Sequence, residues 1–310
     1  MIIEKTNSKA EYKYANETGD AQITVYRIFP GIEVSFLTIH MSDFDFTELE
    51  SMYRESYVGF HYCLEGRIEQ ELDGEFFYLL PGDLSVVSKN RNLKVFVLPL
   101  NHYHGISIGV DTNVAMTQFS EYIQGSEISP LNVVRRICGT RDTTILRSSP
   151  SIQQILAGWR MIPEEQRPDY LKIKMLELLY VLSQIDADAY LTECFVPREQ
   201  TELVKRVSAY VSDNIQGKIA IVDLTAKFGV SETYLQKAFR SVYGMPVVSF
   251  IRAQRMQCAA QVLIHTTRSI DDIAEEFGYV NESKFASVFK RIIGDTPSVY
   301  RREHSKVKIL

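Results

Sequence analysis

The spacing of apolar residues changes twice along the chain. Between residues 22 and 110 apolar and polar positions alternate in short runs. "QITVYRIF" and "IEVSFLTIH" flank a Pro30–Gly31 turn, and "VGFHYCLEGRIEQELDGEFFYLLPGDLSVVS" is cut at Glu65-Gly66, Asp73-Gly74 and Pro81-Gly82-Asp83. "KVFVLPL" and "HGISIGV" continue the pattern. A period of two with close turn signals predicts an antiparallel barrel or sandwich.

After Asp111 the spacing becomes helical. "NVAMTQFSEYIQG" and "SPSIQQILAGWRMI" read as helices, the second opened by Ser-Pro. "RPDYLKIKMLELLYVLSQI" is the strongest. Leu171, Met175, Leu178, Leu179, Leu182 and Ile185 form its stripe, widened by Ile173, Leu176, Tyr180 and Val181. So wide a stripe suits a central core helix or a face shared with a second copy. "DADAYLTECFVPREQT" has no period, which places a linker at 187–198. Beyond Thr201 everything reads as short helices.

Two of those stretches match. "VDLTAKFGVSETYLQKAFRSVYGMPVVSFIR" (222–252) aligns with "DDIAEEFGYVNESKFASVFKRIIGDTPSVYRR" (271–302). Phe228-Gly229 answers Phe277-Gly278, Phe239 answers Phe289, Gly244 answers Gly294 and Arg252 answers Arg302. The offset is 49 before the turn and 50 after it, because the second turn has one extra residue. Each copy has the form of a helix-turn-helix. Leu224 and Phe228, with Ile273 and Phe277, line the first helices. Gly229 and Gly278 end them, and Ser231 and Asn281 N-cap the second helices. Leu235, Phe239 and Val242 face inward, as do Phe285, Phe289 and Ile292. Left outside are Glu232, Thr233, Gln236, Lys237 and Arg240 in copy one. In copy two they are Glu282, Ser283, Lys284, Ser287 and Arg291, with Lys290 beside them.

Those residue types suit the major groove of duplex DNA. Gln pairs with adenine, Lys or Arg with guanine, and Ser or Thr with a base or a phosphate; a helix N-terminus favours a phosphate oxygen. "PVVSFIRAQRMQCAAQVLIHT" joins the copies as one helix. About 19 residues at 1.5 Å each span roughly 28 Å, close to the ~34 Å between successive major grooves on one face of B-DNA.

Charge agrees with this division. Residues 1–195 carry 17 Lys+Arg against 27 Asp+Glu, and residues 196–310 carry 17 against 12. An acidic part joined to a basic part fits one end meeting a polyanion. The N-terminal "MIIEKTNSKAEYKY" lacks the apolar run of a secretory leader. No apolar run approaches the ~20 residues of a membrane span. Cys63, Cys138, Cys194 and Cys258 form no CxxC pair, as expected of reduced thiols in a cytoplasmic protein.

Residues 199–304 resemble the AraC/XylS family of bacterial transcription regulators. The resemblance is carried by Ile270, Ile273-Ala274, Gly278-Tyr279, Phe285, Phe289-Lys290, Gly294, Thr296-Pro297 and Tyr300-Arg301. It implies two helix-turn-helices on operator DNA, with base contacts from Thr233, Gln236 and Lys237 in copy one. In copy two it implies Glu282, Ser283 and Ser287. Many members place a basic residue where this chain has Ser287, so copy two is expected to read fewer bases and to lean on Lys284, Lys290 and Arg291 for phosphates. "CLEGRIEQELDGEFFYLLPGDLSVVS" is similar to the family's cupin-like sensing domain. The resemblance implies a small-molecule effector in that domain, homodimerisation through the following helices, and RNA polymerase as a partner if the chain activates.

The resulting expectation is an α+β chain. A cupin-like barrel spans 1–112, helices for support and dimerisation 113–190, a linker 187–198, and an all-α DNA-binding domain 199–310. His40, Tyr57, His61, Tyr62, Tyr78, His102 and His104 are candidate effector contacts, with Phe60, Phe76 and Phe77 as further aromatic walls. His102 and His104 suggest a metal on one strand face. The spacing of a metal cupin is absent, however, and Asp83 reads as a turn residue, so no metal is expected. With no Ser-His-Asp order, P-loop or GxGxxG after a strand, neither an enzyme nor a cofactor is expected. Two alternatives stay open: a ligand- or metal-binding barrel whose helical tail makes protein contacts, and a regulator controlled by a protein partner.

Overall fold

The computed structural model describes residues 2–6, 8–42, 44–45, 56–72, 75–88, 93–119, 128–186, 195–217 and 219–304. The expected turn at Asp73-Gly74, most of the linker and Cys194 lie outside them. The chain divides into Met1–Val196 and Pro197–Leu310. No helix among the described residues is long and apolar enough to cross a membrane.

The first unit is built on strands β1 (Ile2–Lys5), β2 (Lys9–Asn16), β3 (Gly19–Phe29), β4 (Ile32–His40), β5 (Tyr57–Gly66), β6 (Ile68–Leu72), β7 (Glu75–Leu79), β8 (Leu84–Val87), β9 (Leu93–Val97), β10 (Tyr103–Asp111), β11 (Thr143–Leu146) and β12 (Phe195–Val196). All pairings are antiparallel. They form two sheets, ordered β1-β2-β3-β4-β10-β5-β8-β11 and β12-β7-β6-β9. The expected closed barrel is therefore corrected. β1 and β11 end the large sheet without pairing to each other, and the chain passes from one sheet to the other at Arg67, between β5 and β6. Two segments also differ from the expected organisation. β11 is a strand inside the segment read as helical, and β12 adds residues 195–196 of the expected linker to the small sheet. Asp83 does serve the turn, its carboxylate accepting from the Leu80 N–H at 2.8 Å. It is also buried and ion-paired to Arg147.

Among the described residues four α-helices follow or interrupt these strands: α1 (Thr112–Gln118), α2 (Pro130–Cys138), α3 (Pro150–Ala157) and α4 (Arg167–Gln184). Strand alternation splits the large sheet into two apolar faces. One, with Val34, Phe60, Tyr62, Ile106 and Ile108, packs under the helices. The other, with Ile23, Ile39, Cys63 and Tyr103, meets Ile68, Phe77 and Leu79 of the small sheet. Leu171, Met175, Leu178, Leu179 and Leu182 of α4 are all fully buried, each worth roughly 1.5–3 kcal/mol of burial. The widening residues are not equivalent to them, since Ile173 and Tyr180 are exposed.

The second unit is all helical: α5 (Arg198–Asp213), α6 (Ile221–Phe228), α7 (Glu232–Tyr243), α8 (Val247–His265), α9 (Ile270–Glu276), α10 (Glu282–Ile293) and α11 (Pro297–His304). α8 is the 19-residue connecting helix and packs against α7, α9, α10 and α11. Phe239 meets Phe250 edge to face with ring centroids 5.3 Å apart, and Phe289 meets Tyr300 the same way at 5.6 Å. Each copy of the repeat thus closes its own aromatic core.

Candidate nucleic-acid interface

Both helix-turn-helices are assembled by the same local chemistry. α6 ends on Gly229 at φ 66°. After α9, Gly278 takes φ 80°, a region open to glycine without penalty. The next N–H groups close the turns: Val230 donates to the Thr225 carbonyl at 3.2 Å and Tyr279 to that of Ala274 at 2.9 Å. α7 and α10 then start on side-chain caps. The Ser231 hydroxyl accepts from the Tyr234 N–H at 3.2 Å, and the Asn281 carbonyl from the Lys284 N–H at 2.8 Å.

On α7, Leu235, Ala238, Phe239, Val242 and Tyr243 are buried. Ser231, Glu232, Thr233, Lys237 and Arg240 are exposed. Gln236 is half-buried, and its side-chain oxygen accepts from the backbone N–H of Val247, the first residue of α8, at 3.2 Å. The sequence gives no hint of this contact. Gln236 therefore holds the start of the connecting helix from a half-buried position on α7.

α10 buries Phe285 and Phe289, with Ile292 only half-buried. Asn281, Glu282, Ser283, Lys284, Ser287, Lys290 and Arg291 are all exposed, but they do not share one face. At 100° per residue, Ser283, Ser287 and Lys290 fall together, and Lys284 and Arg291 fall about a quarter-turn away with Val288. The single outer face expected for α10 is thus corrected to two. Lys284, Val288 and Arg291 instead line a cleft against α8. Glu232 and Glu282 are the first residues of their helices, where a carboxylate complements the helix dipole by about 0.3–1 kcal/mol. That is reason enough for an acid at either position without a base contact.

The candidate effector residues do not converge. His40 and His104 meet at one end of β4 and β10, their Nε2 atoms 2.7 Å apart, and His104 Nδ1 lies 3.1 Å from a Glu65 carboxylate oxygen. His102 precedes β10 and bonds the Leu100 carbonyl at 3.0 Å, so it does not share a strand face with His104. No group of three or more metal-ligating side chains occurs among the described residues. Tyr62 is in the core beneath the helices. Its neighbour His61 projects from the opposite face of β5, because consecutive strand residues alternate. Tyr78 is buried and donates to a Glu69 carboxylate at 2.6 Å. Tyr57 lines a separate cleft of about 490 Å³ with Arg27, Asp111 and Lys172.

Sequence reasoning missed a polar row between the sheets. Ser107 and Ser85 are register partners of His61, and His61 Nδ1 lies 2.9 Å from the Ser107 hydroxyl. Burial pushes His61 down to about 4, although the residue as a whole is only half-buried. Among the described residues the buried Ser85 hydroxyl has no hydrogen-bond partner, nor has the Gln70 side-chain oxygen in the small sheet. Short polar residues on strands give no distinctive pattern, so only the register brings His61, Ser107 and Ser85 together.

Comparison with known proteins reaches the same part of the chain. Residues 224–303 match the helix-turn-helix domain family. The regulatory protein SoxS of Escherichia coli K12 is 36% identical over 100 residues, 32% of this chain and 94% of SoxS. AarP of Providencia stuartii, an HTH-type transcriptional activator, is 29% identical over 102 residues, 33% of this chain and 76% of AarP. Among solved structures, the C-terminal domain of AraT, a response regulator from Geobacillus stearothermophilus, is 26% identical. It covers 35% of this chain and 90% of that one, with a TM-score of 0.33.

Proposed function

This chain belongs to the AraC/XylS family of DNA-binding transcription regulators, not to a class of enzymes, and from that premise we propose that it reads a specific operator mainly through α7. The observation that carries this is the exposed Thr233, Lys237 and Arg240 on a helix capped and glycine-started like a groove reader. Gln236 adds its amide N–H₂ toward adenine. α10 contributes Ser283, Ser287 and Lys290, short or singly charged groups suited more to phosphates than to bases. Ser231 and Asn281, at the caps, approach the backbone.

Control comes from the two-sheet unit, read as a cupin-like sensor. Its best-supported effector position lies between the sheets at His61, Ser107 and Ser85. A small uncharged ligand there would supply a partner to the orphaned Ser85 hydroxyl. The exposed Ile173 and Tyr180 of α4 support homodimerisation. RNA polymerase is a partner if the chain activates, as AarP is described to do. The chain acts in the cytoplasm, on bacterial chromosomal DNA.

Selection of bound duplexes from a random pool by the full chain tests the reading. One enriched motif is expected, and a pool that stays unenriched at moderate salt would overturn it.

A further inference from the structure

The second helix-turn-helix carries something the first does not. A cleft of about 440 Å³ lies between α8 and the turn and outer flank of α10. Four cations line it: Arg252 and Arg255 from α8, Lys284 and Arg291 from α10. No carboxylate lines it, and among the described residues none of the four makes an ion pair. Such a gathering in a chain of net charge −5 leaves like charges facing one another without a counter-charge.

One of the four cations is anchored. Arg255 Nε donates to the Ile215 carbonyl at 3.1 Å and Nη2 to that of Gly217 at 2.6 Å. Its remaining terminal nitrogen, Nη1, turns toward Gly278, where an added Cβ would lie 3.7 Å from it. Tyr279 packs on Phe285 with ring centroids 5.5 Å apart and lines the same cleft. Burial pushes its phenol up, while the charges of Arg252, Arg255 and Arg291, which line the same cleft, pull it down.

The cleft follows from the one-residue difference between the repeats. The first turn is Gly229-Val230-Ser231, and the second is Gly278-Tyr279-Val280-Asn281. The longer turn supplies three of the lining residues, Gly278, Tyr279 and Val280. Lys284 and Arg291 correspond to Tyr234 and Ser241 in copy one, so neither cation has a counterpart there.

We infer that this cleft is a phosphate-binding site, holding one phosphate group between the guanidiniums of Arg252, Arg255 and Arg291 and the ammonium of Lys284. Guanidinium forks and a phenolic O–H match the three or more acceptor oxygens of a phosphate. The same chemistry is offered by a backbone phosphodiester of bound DNA and by a free phosphate-bearing small molecule. The first source rests on the DNA-binding reading above; the second does not.

The test uses the full chain and an Arg252→Gln/Arg291→Gln variant, both side chains being exposed, with circular dichroism melts to check folding. In one arm, binding to two unrelated duplexes is followed against salt. If the phosphate is DNA's, the variant's log–log salt slope is shallower by roughly 0.9 for each lost contact, equally on both duplexes. In the other arm, inorganic phosphate is titrated by calorimetry without DNA. If the phosphate is free, saturable binding in the wild type disappears in the variant. Identical salt slopes together with no variant-sensitive phosphate binding would overturn the site. A wild type that ignores DNA yet binds phosphate would overturn the operator reading and leave this one standing.

Discussion

The outward face of α7 carries Thr233, Gln236, Lys237 and Arg240; the same four positions of α10 carry Ser283, Ala286, Ser287 and Lys290. Inward the two helices agree, with Leu235 and Phe239 matched by Phe285 and Phe289, all fully buried. Burial restricts what a position can hold, so the cores of a duplicated unit stay alike. The outer faces answer only to what they touch. One copy has Gln236, Lys237 and Arg240 there, while the other keeps a single cation, Lys290, beside Ser283, Ala286 and Ser287, with Lys284 and Arg291 on a neighbouring flank. On the proposed reading, two copies of one motif divide the labour of choosing a sequence and holding a backbone.

The largest expected effect tests the shared part. Phe239→Ala and Phe289→Ala should each cost about 3–5 kcal/mol, measured by urea denaturation. A loss below about 1 kcal/mol in either would break the equivalence of the cores. Next comes the divided labour. Lys237→Ala should weaken binding to the selected motif by about 1–3 kcal/mol, roughly five- to 150-fold by fluorescence anisotropy. Ser287→Ala should stay within about 0.5 kcal/mol; equal losses would show that both helices read bases. Gln236 separates reading from holding. Gln236→Ala should lower stability by about 1 kcal/mol, because the Val247 N–H loses its acceptor. Gln236→Glu keeps an acceptor and the stability but loses the adenine-directed amide, so affinity for the motif falls. If both variants melt together with wild type, the Val247 contact contributes nothing. The smallest effect is Glu282→Gln, which should cost about 0.3–1 kcal/mol of helix-dipole stabilisation while tightening DNA binding slightly. A looser complex would make Glu282 a base reader after all.

The repeat was readable before any coordinates because its signals are local. Gly229, Gly278, Ser231 and Asn281 each act within one turn of helix, and each does what its residue type suggests. The stripe of α4 was readable for the same reason. Sheet closure was not, since the partner of a strand is chosen across the fold. β11 has four residues, too few to show a period against helical neighbours. His61 and Tyr62 looked like joint walls of one cavity, yet adjacent strand residues face opposite ways. Lys284 and Arg291 read as part of a single outer face because the sequence does not show where α8 lies. Gln236 was legible as a groove residue and illegible as a partner of Val247, eleven positions away.

If α7 reads the operator as proposed, that bond between Gln236 and the first N–H of α8 constrains how the target could change. Thr233, Lys237 and Arg240 can be exchanged without disturbing the scaffold, so new operators are reachable through them one substitution at a time. Position 236 is different: a replacement must present an acceptor at glutamine's reach, or the connecting helix loses its anchored start. Drift in target sequence should therefore accumulate at the three unencumbered positions, with the base opposite Gln236 the last to change.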